Sequence, residues 1–281
     1  MYDNLKVVII VLDYNKPEMT NVCIENIYKY NKINLILVNN GDANLSQYNK
    51  SIPFHYVKNN GSRAFSKGMN EGLKKALNFD PEYIIFLNND AVVTENAIKL
   101  LVDAMNYDNS LGMVSSNEDY SLGYLNKDRD ISDFVDEKPI INYKKNLTGF
   151  CLCVRRKLIE ELRGYDEDYV FGKEDDDLSI RVKNKGYKLA EIKNSFVYHK
   201  LSSSTNFGNK NDLDFLAYGF GLGYALLSIK HGKNIFIEFL LTTSDSLKLF
   251  TKVFLLEKKF NFSIFKNSIN GFKDGIKRIH Q

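Results

Sequence analysis

Short apolar runs alternate with helical patterns along the chain from residue 7 onward. Three runs rich in valine, isoleucine and leucine lie at residues 7–12, 35–38 and 84–87, and a shorter one lies at 54–57. Continuous apolar character of this kind is typical of strands buried on both faces of a sheet. Helical patterns separate the runs, and another follows the last of them. This alternation predicts an α/β fold with a mostly parallel central sheet flanked by helices.

Polar residues follow three of these runs at the point where each strand ends. Asp13-Tyr14-Asn15 follows the first, Asn39-Asn40-Gly41 the second, and Asn88-Asn89-Asp90 the run at 84–87. The carboxyl ends of parallel strands meet at one edge of an open α/β sheet, where ligands bind. We therefore expect a binding site at this edge, with Asp90 as an oxygen ligand of a divalent metal. A simple Asn/Asp turn that ends a strand explains the same residues.

The usual glycine-rich phosphate loops are missing from the sequence. The first strand is not followed by G-x-G-x-x-G, and G-x-x-x-x-G-K-[ST] occurs nowhere in the chain. A metal held by carboxylates is then the expected way to bind a diphosphate.

Four consecutive acids, at residues 174–177, form a second candidate site. The pattern that follows them predicts a helix to about Asn184, so the acids lie in its first turn. One or two acids favour a helix N-terminus, whereas four repel one another unless other groups compensate them. His199 ends a later strand and is either a structural residue or a metal ligand.

Composition indicates an ordinary globular protein with an uneven charge distribution. The 281 residues are 44% hydrophobic and 26% charged, and the formal net charge is +3. Residues 230–281 carry +6 and residues 1–229 carry −3, which argues against a nucleic-acid-binding surface on the body. Three cysteines in apolar stretches indicate neither a disulfide framework nor a zinc site. With no signal-peptide pattern at the N-terminus, we expect a cytoplasmic protein.

Two further regions leave alternatives open. The polar stretch 115–145 is interpreted as a loop region on the acceptor side, and a plain surface insertion explains it equally well. Apolar residues recur at helical spacing at positions 247, 250, 253 and 254, and again at 265, 269, 272, 276 and 279. Lysines lie between them in both segments. Such helices either lie on an anionic membrane surface or pack on the rest of the chain or on a second subunit, as in a homo-oligomer.

The order of these motifs, together with residues 149–151, 155–156, 164–167 and 197–199, resembles family 2 glycosyltransferases with the GT-A fold. Within that family it is most similar to the bacterial rhamnosyltransferase-like enzymes of polysaccharide biosynthesis. The resemblance covers about residues 6–205. It implies a GT-A (Rossmann-like) catalytic domain at 1–205 and a helical C-terminal extension at 206–281.

The resemblance also implies a function. It predicts an inverting, metal-dependent transfer of a sugar from a nucleotide diphosphate donor to a glycan or lipid-linked acceptor, in the synthesis of capsule, lipopolysaccharide or another cell-surface polysaccharide. Asp175 matches the general base, and Asp90 and His199 match ligands of Mn²⁺ or Mg²⁺. Positions that match donor-nucleotide contacts are Leu12, Asp13, Tyr14, Asn39, Asn60, Lys67, Asn70, Asn88 and Asn89. Positions on the acceptor or sugar side are Gly149, Phe150, Glu174 and Asp176.

Several alternatives stay open at this point. Asn39 stands where relatives usually have an Asp that binds the pyrimidine N–H, which leaves the choice between uridine and thymidine donors open. The enzyme is expected in the cytoplasm or peripherally on the inner face of the membrane. We expect Asp90, His199 and the acids from Glu174 onward to share one cleft. A non-catalytic sugar-nucleotide-binding or assembly subunit, or a sugar-phosphate nucleotidyltransferase, are the other functions considered. The last would require a glycine-rich loop after the first strand.

Overall fold

A computed structural model describes residues 6–30, 33–59, 63–119, 138–199, 209–258 and 260–278. Asn60 and Ile279 lie outside these residues. The strands are β1 Val7–Asp13, β2 Asn34–Asn39, β3 His55–Lys58, β4 Tyr83–Asn88, β5 Ala91–Val93, β6 Leu111–Asp119, β7 Ile141–Lys144, β8 Cys151–Arg155 and β9 Lys188–His199. The α-helices are α1 Pro17–Tyr30, α2 Phe65–Ala76, α3 Ala97–Tyr107, α4 Arg156–Glu161, α5 Glu174–Asn184, α6 Lys210–His231, α7 Ile235–Glu257 and α8 Ser263–Lys277. Short 3₁₀ helices lie at Leu45–Gln47 and Leu77–Phe79.

The nine strands of the described residues form one mixed sheet with the order β3-β2-β1-β4-β8-β6-β9-β5, and β7 pairs with β9. Strands β3, β2, β1 and β4 are parallel neighbours, as the alternation of strands and helices predicts. Strand β8 is antiparallel to both β4 and β6, while β6 and β9 are parallel. The predicted α/β arrangement is confirmed, and its parallel half carries the three polar strand ends.

The core explains why the apolar runs are continuous. All seven residues of β1 are buried, and β2 and β4 are buried along almost their whole length. Helices α1 and α3 contribute buried residues such as Ile24, Ile27 and Leu101 to the same apolar cluster. Strands β1, β2 and β4 are thus covered on both faces, which an alternating polar pattern would prevent, whereas β3 at the edge of the sheet is only partly buried.

The interpretation of residues 115–145 as a loop is wrong at both ends of that stretch. Residues up to Asp119 belong to β6, and residues 141–144 form β7. Ser115 and Ser116 make the sequence look polar there, but both side chains are buried in the sheet. The hydroxyl groups of Ser116 and Ser195 are 2.9 Å apart, so they bond to each other inside the sheet instead of binding water.

The chain divides into two compact units. The first comprises residues 1–63, 67–165 and 178–204, and contains the whole sheet. The second comprises residues 205–281 together with the short segments 64–66 and 166–177. In this second unit α6, α7 and α8 pack together around buried residues that include Leu213, Leu249 and Ile264.

A glycine pair sets the close crossing of α6 and α8. A Cβ atom on Gly221 would collide with the backbone of Ser268, and one on Gly271 would collide with the backbone of Tyr218. Residues 216–229 of α6, which carry no charge and contain three glycines, therefore form an internal packing surface. Phe272 of α8 is buried within the same unit. No helix of the described residues combines the length and apolar character needed to cross a bilayer.

Candidate active site

Strand register brings the predicted donor residues to one edge of the sheet. Asp13 at the end of β1 lies opposite Asn39 at the end of β2, and Leu12 lies opposite Asn88 at the end of β4. These residues are distant in sequence, but parallel pairing aligns their strand ends. The predicted convergence at the carboxyl edge is therefore present in the first unit.

The Asp13 carboxylate joins four segments at this edge. It is fully buried, and its Oδ1 atom accepts hydrogen bonds from the Thr20 hydroxyl and the Asn89 side-chain amide. Its Oδ2 atom accepts from the Tyr48 hydroxyl at 2.9 Å. Burial and the neighbouring Asp13 raise the pKa of Tyr48, which therefore stays a donor. Asp13 and Asn89 thus hold α1, the 3₁₀ segment and the turn after β4 together, and their contact with a donor stays a prediction.

Asn39 shapes the turn that follows β2. Its amide nitrogen donates to the Ala43 carbonyl and to the Tyr56 hydroxyl, and its oxygen accepts from the Gly41 backbone nitrogen. A Cβ atom on Gly41 would collide with the Asn15 side chain, so glycine allows the two strand-end loops to touch. The side chain of Asn39 supports its own loop, and recognition of a nucleobase by this residue stays a prediction.

Tyr14 carries a cation above its ring. The guanidinium carbon of Arg63 lies 4.9 Å from the ring centre, within the range of a cation–π contact. Tyr14 and Arg63 together place an aromatic surface and a positive charge beside the ends of β1 and β2. Such a pair can stack a base or receive a phosphate.

Two predicted donor residues lie on α2 with different environments. Lys67 is exposed in the first turn. Asn70 is buried, and its side-chain amide exchanges two hydrogen bonds of 2.8 Å with the backbone of Tyr165. Asn70 therefore anchors the turn at 164–165 against α2. Its assignment to donor binding, like that of Lys67 and Asn60, stays a prediction.

Asp90 and His199 meet because β5 pairs with β9. Ala91, directly after Asp90, lies opposite His199 in this antiparallel pair. The Oδ1 atom of Asp90 is 3.1 Å from the Nε2 atom of His199, and the two side chains are only 5% and 8% exposed. The side-chain amide nitrogen of Asn88 lies 3.3 Å from the same Nε2 atom. A carboxylate, an imidazole and an amide thus converge at the carboxyl end of β4.

Phe150 supports this group from the side. Its ring stacks on the His199 ring at a centroid distance of 5.3 Å, and its backbone oxygen accepts from the Asn88 backbone nitrogen. Phe150 is buried and Gly149, before it, is half-buried. Phe150 therefore fixes the orientation of the His199 ring, and the acceptor-side assignment of both residues stays a prediction.

The pair of Asp90 and His199 fits a divalent cation that is shared with a substrate. No group of three or more His, Cys, Asp or Glu side chains gathers around a potential metal position in the part of the chain that the structure describes. Two protein ligands are enough for a cation that also binds diphosphate oxygens and water. The donor set, one carboxylate and one imidazole, is compatible with Mn²⁺.

The four acids of α5, residues 174–177, all belong to the second unit. Two of them contact basic side chains, and these two contacts are separate. The carboxylate of Asp176 lies 3.4 Å from the Lys173 ammonium group. Asp177 is buried and its Oδ1 atom is 2.7 Å from the Nε2 atom of His231. Lys173 also lies 4.3 Å from the centre of the Tyr224 ring. Separate partners of this kind explain how the helix tolerates the acids in one turn.

Glu174 is the acid whose charge is most strongly disfavoured. Burial raises its pKa to about 8, with a contribution from the neighbouring Asp175, while backbone hydrogen bonds oppose the shift. Its Oε2 atom is buried and has no hydrogen-bond partner among the described residues. The neutral carboxyl is favoured at pH 7. The Oδ1 atom of Asp175 accepts a hydrogen bond from the Asp176 backbone nitrogen at 2.9 Å, so the first turn holds this carboxylate.

Sequence reasoning missed several residues that support the candidate residues. They are the Asp13 partners Thr20 and Tyr48, and the partners of the α5 acids, Lys173, Tyr224 and His231. Local pattern contains no signal for Tyr48, Tyr224 or His231, because they are distant in sequence from the residues they contact, by 54 residues for His231 and Asp177. Thr20, in the first turn of α1, and Lys173, three residues before Asp176, were the two local hints.

The fold is of the GT-A type, and the comparisons with known proteins agree with the order of the motifs. The model of the family described as "Glycosyl transferase family 2" matches residues 8–163, more than half of the chain. The chain belongs to this family, as the motif order predicts. A comparison with curated protein sequences finds no match.

Several solved structures share the fold at low sequence identity. GalNAc-T7 with UDP, GalNAc and Mn²⁺ has a TM-score of 0.57 and 14% identity, over 83% of this chain and 52% of that one. The mannosyltransferase PcManGT from Pyrobaculum calidifontis, in complex with GDP-Man and Mn²⁺, has a TM-score of 0.56 and 14% identity, over 98% and 88%. Residues 1–349 of S. aureus TarS give 0.56 and 12%, over 97% and 81%. The chain spans about half the length of the first of these proteins.

Proposed function

We propose that the protein is an inverting, metal-dependent enzyme that moves a sugar from a UDP- or dTDP-sugar to a glycan or lipid-linked acceptor. The observation that carries the proposal is the buried pair of Asp90 and His199 at the carboxyl end of β4, in a chain of glycosyl transferase family 2. The product would enter capsule, lipopolysaccharide or another cell-surface polysaccharide. Residues 1–205 would form the catalytic domain, and residues 206–281 its helical extension.

Asp175 is the proposed general base. Inverting transfer needs a carboxylate that removes the proton from the acceptor hydroxyl while its oxygen attacks the anomeric carbon of the sugar. The bond from that carbon to the diphosphate breaks as the new bond forms. Asp176 and Asp177 have cationic or imidazole partners, and Glu174 favours its neutral form. Asp175 matches the general base of family 2 glycosyltransferases, and on that resemblance we assign proton removal to it.

Asp90 and His199 are the proposed ligands of the divalent cation, through a carboxylate oxygen and the Nε2 atom. When bound, the cation supplies positive charge that stabilises the departing diphosphate. Mn²⁺ accepts an imidazole nitrogen more readily than Mg²⁺, which prefers oxygen donors in strict octahedral geometry. We therefore propose Mn²⁺ as the preferred ion. The Mn²⁺ in the complexes of GalNAc-T7 and PcManGT supports this choice.

The remaining candidate residues receive proposed positions around the donor and acceptor. Arg63, stacked on Tyr14, is a further cation for the nucleotide. The proposed donor positions are Leu12, Asp13, Tyr14, Asn39, Asn60, Lys67, Asn70, Asn88 and Asn89. The proposed acceptor or sugar side comprises Gly149, Phe150, Glu174 and Asp176. A lipid-linked acceptor would place the enzyme peripherally on a membrane surface.

Donor hydrolysis by an Asp175→Asn variant tests the proposed chemistry. A screen of uridine, thymidine and guanosine diphosphate sugars, with and without Mn²⁺, first identifies the donor by thermal shift. We expect Asp175→Asn to keep the Mn²⁺-dependent thermal shift produced by the donor. Its rate of donor hydrolysis should fall by about 100-fold or more, which is the typical contribution of a general base. Wild-type hydrolysis by this variant would refute the base assignment, and no shift with any donor would refute the donor class.

Glu18→Gln is the matched control for this experiment. Glu18 is an exposed acid in the first turn of α1, as Asp175 is an acid in the first turn of α5. Its amide variant changes the charge of a helix start without touching a candidate residue. We expect it to hydrolyse the donor at the wild-type rate.

A further inference from the structure

The helix α7 has an unusual distribution of polar and apolar residues. Its buried residues are Glu238, Thr242, Ser246, Leu249 and Val253. Three of these five are polar, although a surface helix normally turns its apolar face inward. The two inward hydroxyl groups are hydrogen-bonded, because Thr242 donates to the Glu238 carbonyl and Ser246 donates to the Ser268 hydroxyl at 2.7 Å.

The outward face of α7 is apolar instead. Leu240 is 50% exposed, Leu247 is 56% exposed and Leu255 is 60% exposed. At 100° per residue these leucines lie on the side of the helix opposite Thr242 and Ser246. Further exposed apolar residues on α7 are Ile235, Phe236, Ile237, Leu241 and Leu256. Single exposed apolar residues are common, but the row from Leu240 to Leu255, about 22 Å long, marks an interaction surface.

The loop after α7 extends this apolar surface. Phe260 and Phe262 are about two-thirds exposed, and both rings contact Phe250 of α7. Phenylalanine on the apolar face of an interfacial helix is typical of segments that lie in the headgroup region of a bilayer. The α7 face consists of the exposed apolar residues of α7 together with Phe260 and Phe262.

Charge around the α7 face has one predominant sign. Lys248, Lys252 and Lys258 are exposed along α7 and its C-terminal end. The acids of the same helix, Glu238, Asp245 and Glu257, are buried or half-buried. Lys248 also contacts Asp245 at 2.8 Å, and Asp245 in turn accepts a bond from the Tyr224 hydroxyl, which directs this acid inward.

From these features we infer that the α7 face docks on an anionic lipid bilayer, with its leucines in the interfacial region and its lysines among the headgroups. An anionic surface complements the exposed lysines, whereas a second copy of the same face would bring lysines toward lysines. The helix lies in the plane of the interface and does not cross it, since no helix of the described residues is suited to span. This docking deepens the proposed function, because it names the surface by which the enzyme would reach a lipid-linked acceptor. It can be tested without any sugar transfer.

Vesicle co-sedimentation of the full chain tests this docking. Wild-type protein is mixed with vesicles of phosphatidylcholine alone, or of phosphatidylcholine with phosphatidylglycerol. We expect sedimentation with the anionic vesicles, and about a tenfold loss of bound protein in the variant Leu240→Ser/Leu247→Ser/Leu255→Ser. Replacement of Lys248 and Lys252 by Gln should reduce the preference for anionic vesicles.

A matched control removes exposed apolar side chains from the first unit. Tyr107→Ser/Leu45→Ser/Ile140→Ser changes three residues that are exposed to a similar or greater degree. We expect it to sediment like wild type, and unchanged far-ultraviolet circular dichroism shows that both triple variants fold.

The outcomes separate the inference from the proposed function. Wild-type protein that stays in solution with anionic vesicles refutes the docking, as does equal sedimentation of the leucine variant. Dimers that the leucine variant abolishes, without vesicle binding, would identify a second copy as the occupant. The Mn²⁺-dependent donor shift is measured on the same samples, so its failure refutes the enzyme proposal and leaves the lipid result intact.

Discussion

Asp90 and His199 form a contact that a cation can replace. Their oxygen and nitrogen are 3.1 Å apart in a nearly buried setting, with Phe150 stacked against the imidazole. Each side chain therefore holds the other in position before a ligand binds. A cation between them would exchange this contact for two coordination bonds without a large rearrangement.

Removal of one charge from this pair should abolish metal-dependent donor binding. We expect Asp90→Asn to lose the Mn²⁺-dependent thermal stabilisation by nucleoside diphosphates, since the cation loses one of two protein ligands. Residues that only support metal ligands contribute about 10–100-fold in affinity, so a direct ligand should contribute at least as much. A chelator should make the wild type behave like the variant, because a ligand stabilises the folded state only when it is free to bind it.

Asp80→Asn is the matched control for Asp90. Asp80 precedes β4 at the end opposite Asp90, its side chain is exposed, and Asn tolerates its left-handed backbone conformation. The same thermal shift as wild type is expected for Asp80→Asn. An undiminished Mn²⁺ effect in Asp90→Asn would contradict the metal assignment.

Glu174 predicts a pH dependence of stability. Its pKa is raised to about 8 in the folded protein and returns to its ordinary value of 4.5 on unfolding. The folded state then holds a proton that the unfolded state has lost between these two pH values, so stability falls as pH rises from about 4.5 to about 8. The stabilising contribution is complete below the lower value.

Glu174→Gln should remove this dependence. Gln keeps the shape of the neutral carboxyl, so the variant should resemble wild type near pH 5 and be more stable than wild type near pH 8.5. A gain of at least about 1.4 kcal/mol between these pH values corresponds to one pKa unit. Thermal unfolding across this range measures the difference, with Glu18→Gln as control. Parallel profiles of wild type and Glu174→Gln would show that the carboxyl is charged in the folded state.

At the scale of elements, the crossing of α6 and α8 depends on two glycines. The backbones approach so closely at Gly221 and Gly271 that a methyl group has no room at either position. Alanine in place of glycine usually stabilises an exposed helix by about 1 kcal/mol. At this crossing the added methyl group must separate the two helices.

Gly221→Ala should therefore destabilise the protein, by about 1–3 kcal/mol as in other overpacked cores. Urea unfolding monitored by helical circular dichroism measures the change. Its sign is decisive, because helix propensity alone predicts stabilisation. Ser244→Ala, on the exposed side of α7, is the control in which propensity should act without a packing effect. Greater stability of Gly221→Ala would mean that the crossing is looser than the structure indicates.

The strands illustrate which elements a sequence pattern predicts well. The runs that became β1, β2 and β4 were predictable because their burial on both faces demands continuous apolar residues. Strand β6 was missed because it buries hydroxyl groups, such as that of Ser116, which pairs with side chains on β8 and β9. A pattern counts serine as polar whether or not it has a partner, and the partner is known only after folding.

At the scale of the whole molecule, the C-terminal helices pack together and carry the surface proposed for lipid docking, and a deletion cannot separate these two features. Removal of residues 245–281 would take away half of α7 and all of α8, and would expose buried residues of α6 such as Leu213 and Ala217. Reduced lipid binding by such a fragment could reflect unfolding. Point substitutions on the α7 face avoid this problem because the residues changed are already exposed.

The joint action of Asp90 and Asp175 stays a prediction at this scale. The two residues lie in different compact units of the chain. In the proposed mechanism, donor binding depends on Asp90 and His199, while donor turnover requires Asp175 as well. The two measurements proposed above therefore test the two halves of the enzyme separately.

The sequence alone determined the α/β class, the polar strand ends and the family, because these depend on local apolar runs and on motif order along the chain. It also identified Asp90, His199 and the acids of α5 as candidates by residue type. Tertiary structure decided which partner each candidate has, such as His231 for Asp177 and Phe150 for His199. It also decided which face of α7 is exposed, since burial depends on neighbours that fold back from distant parts of the chain.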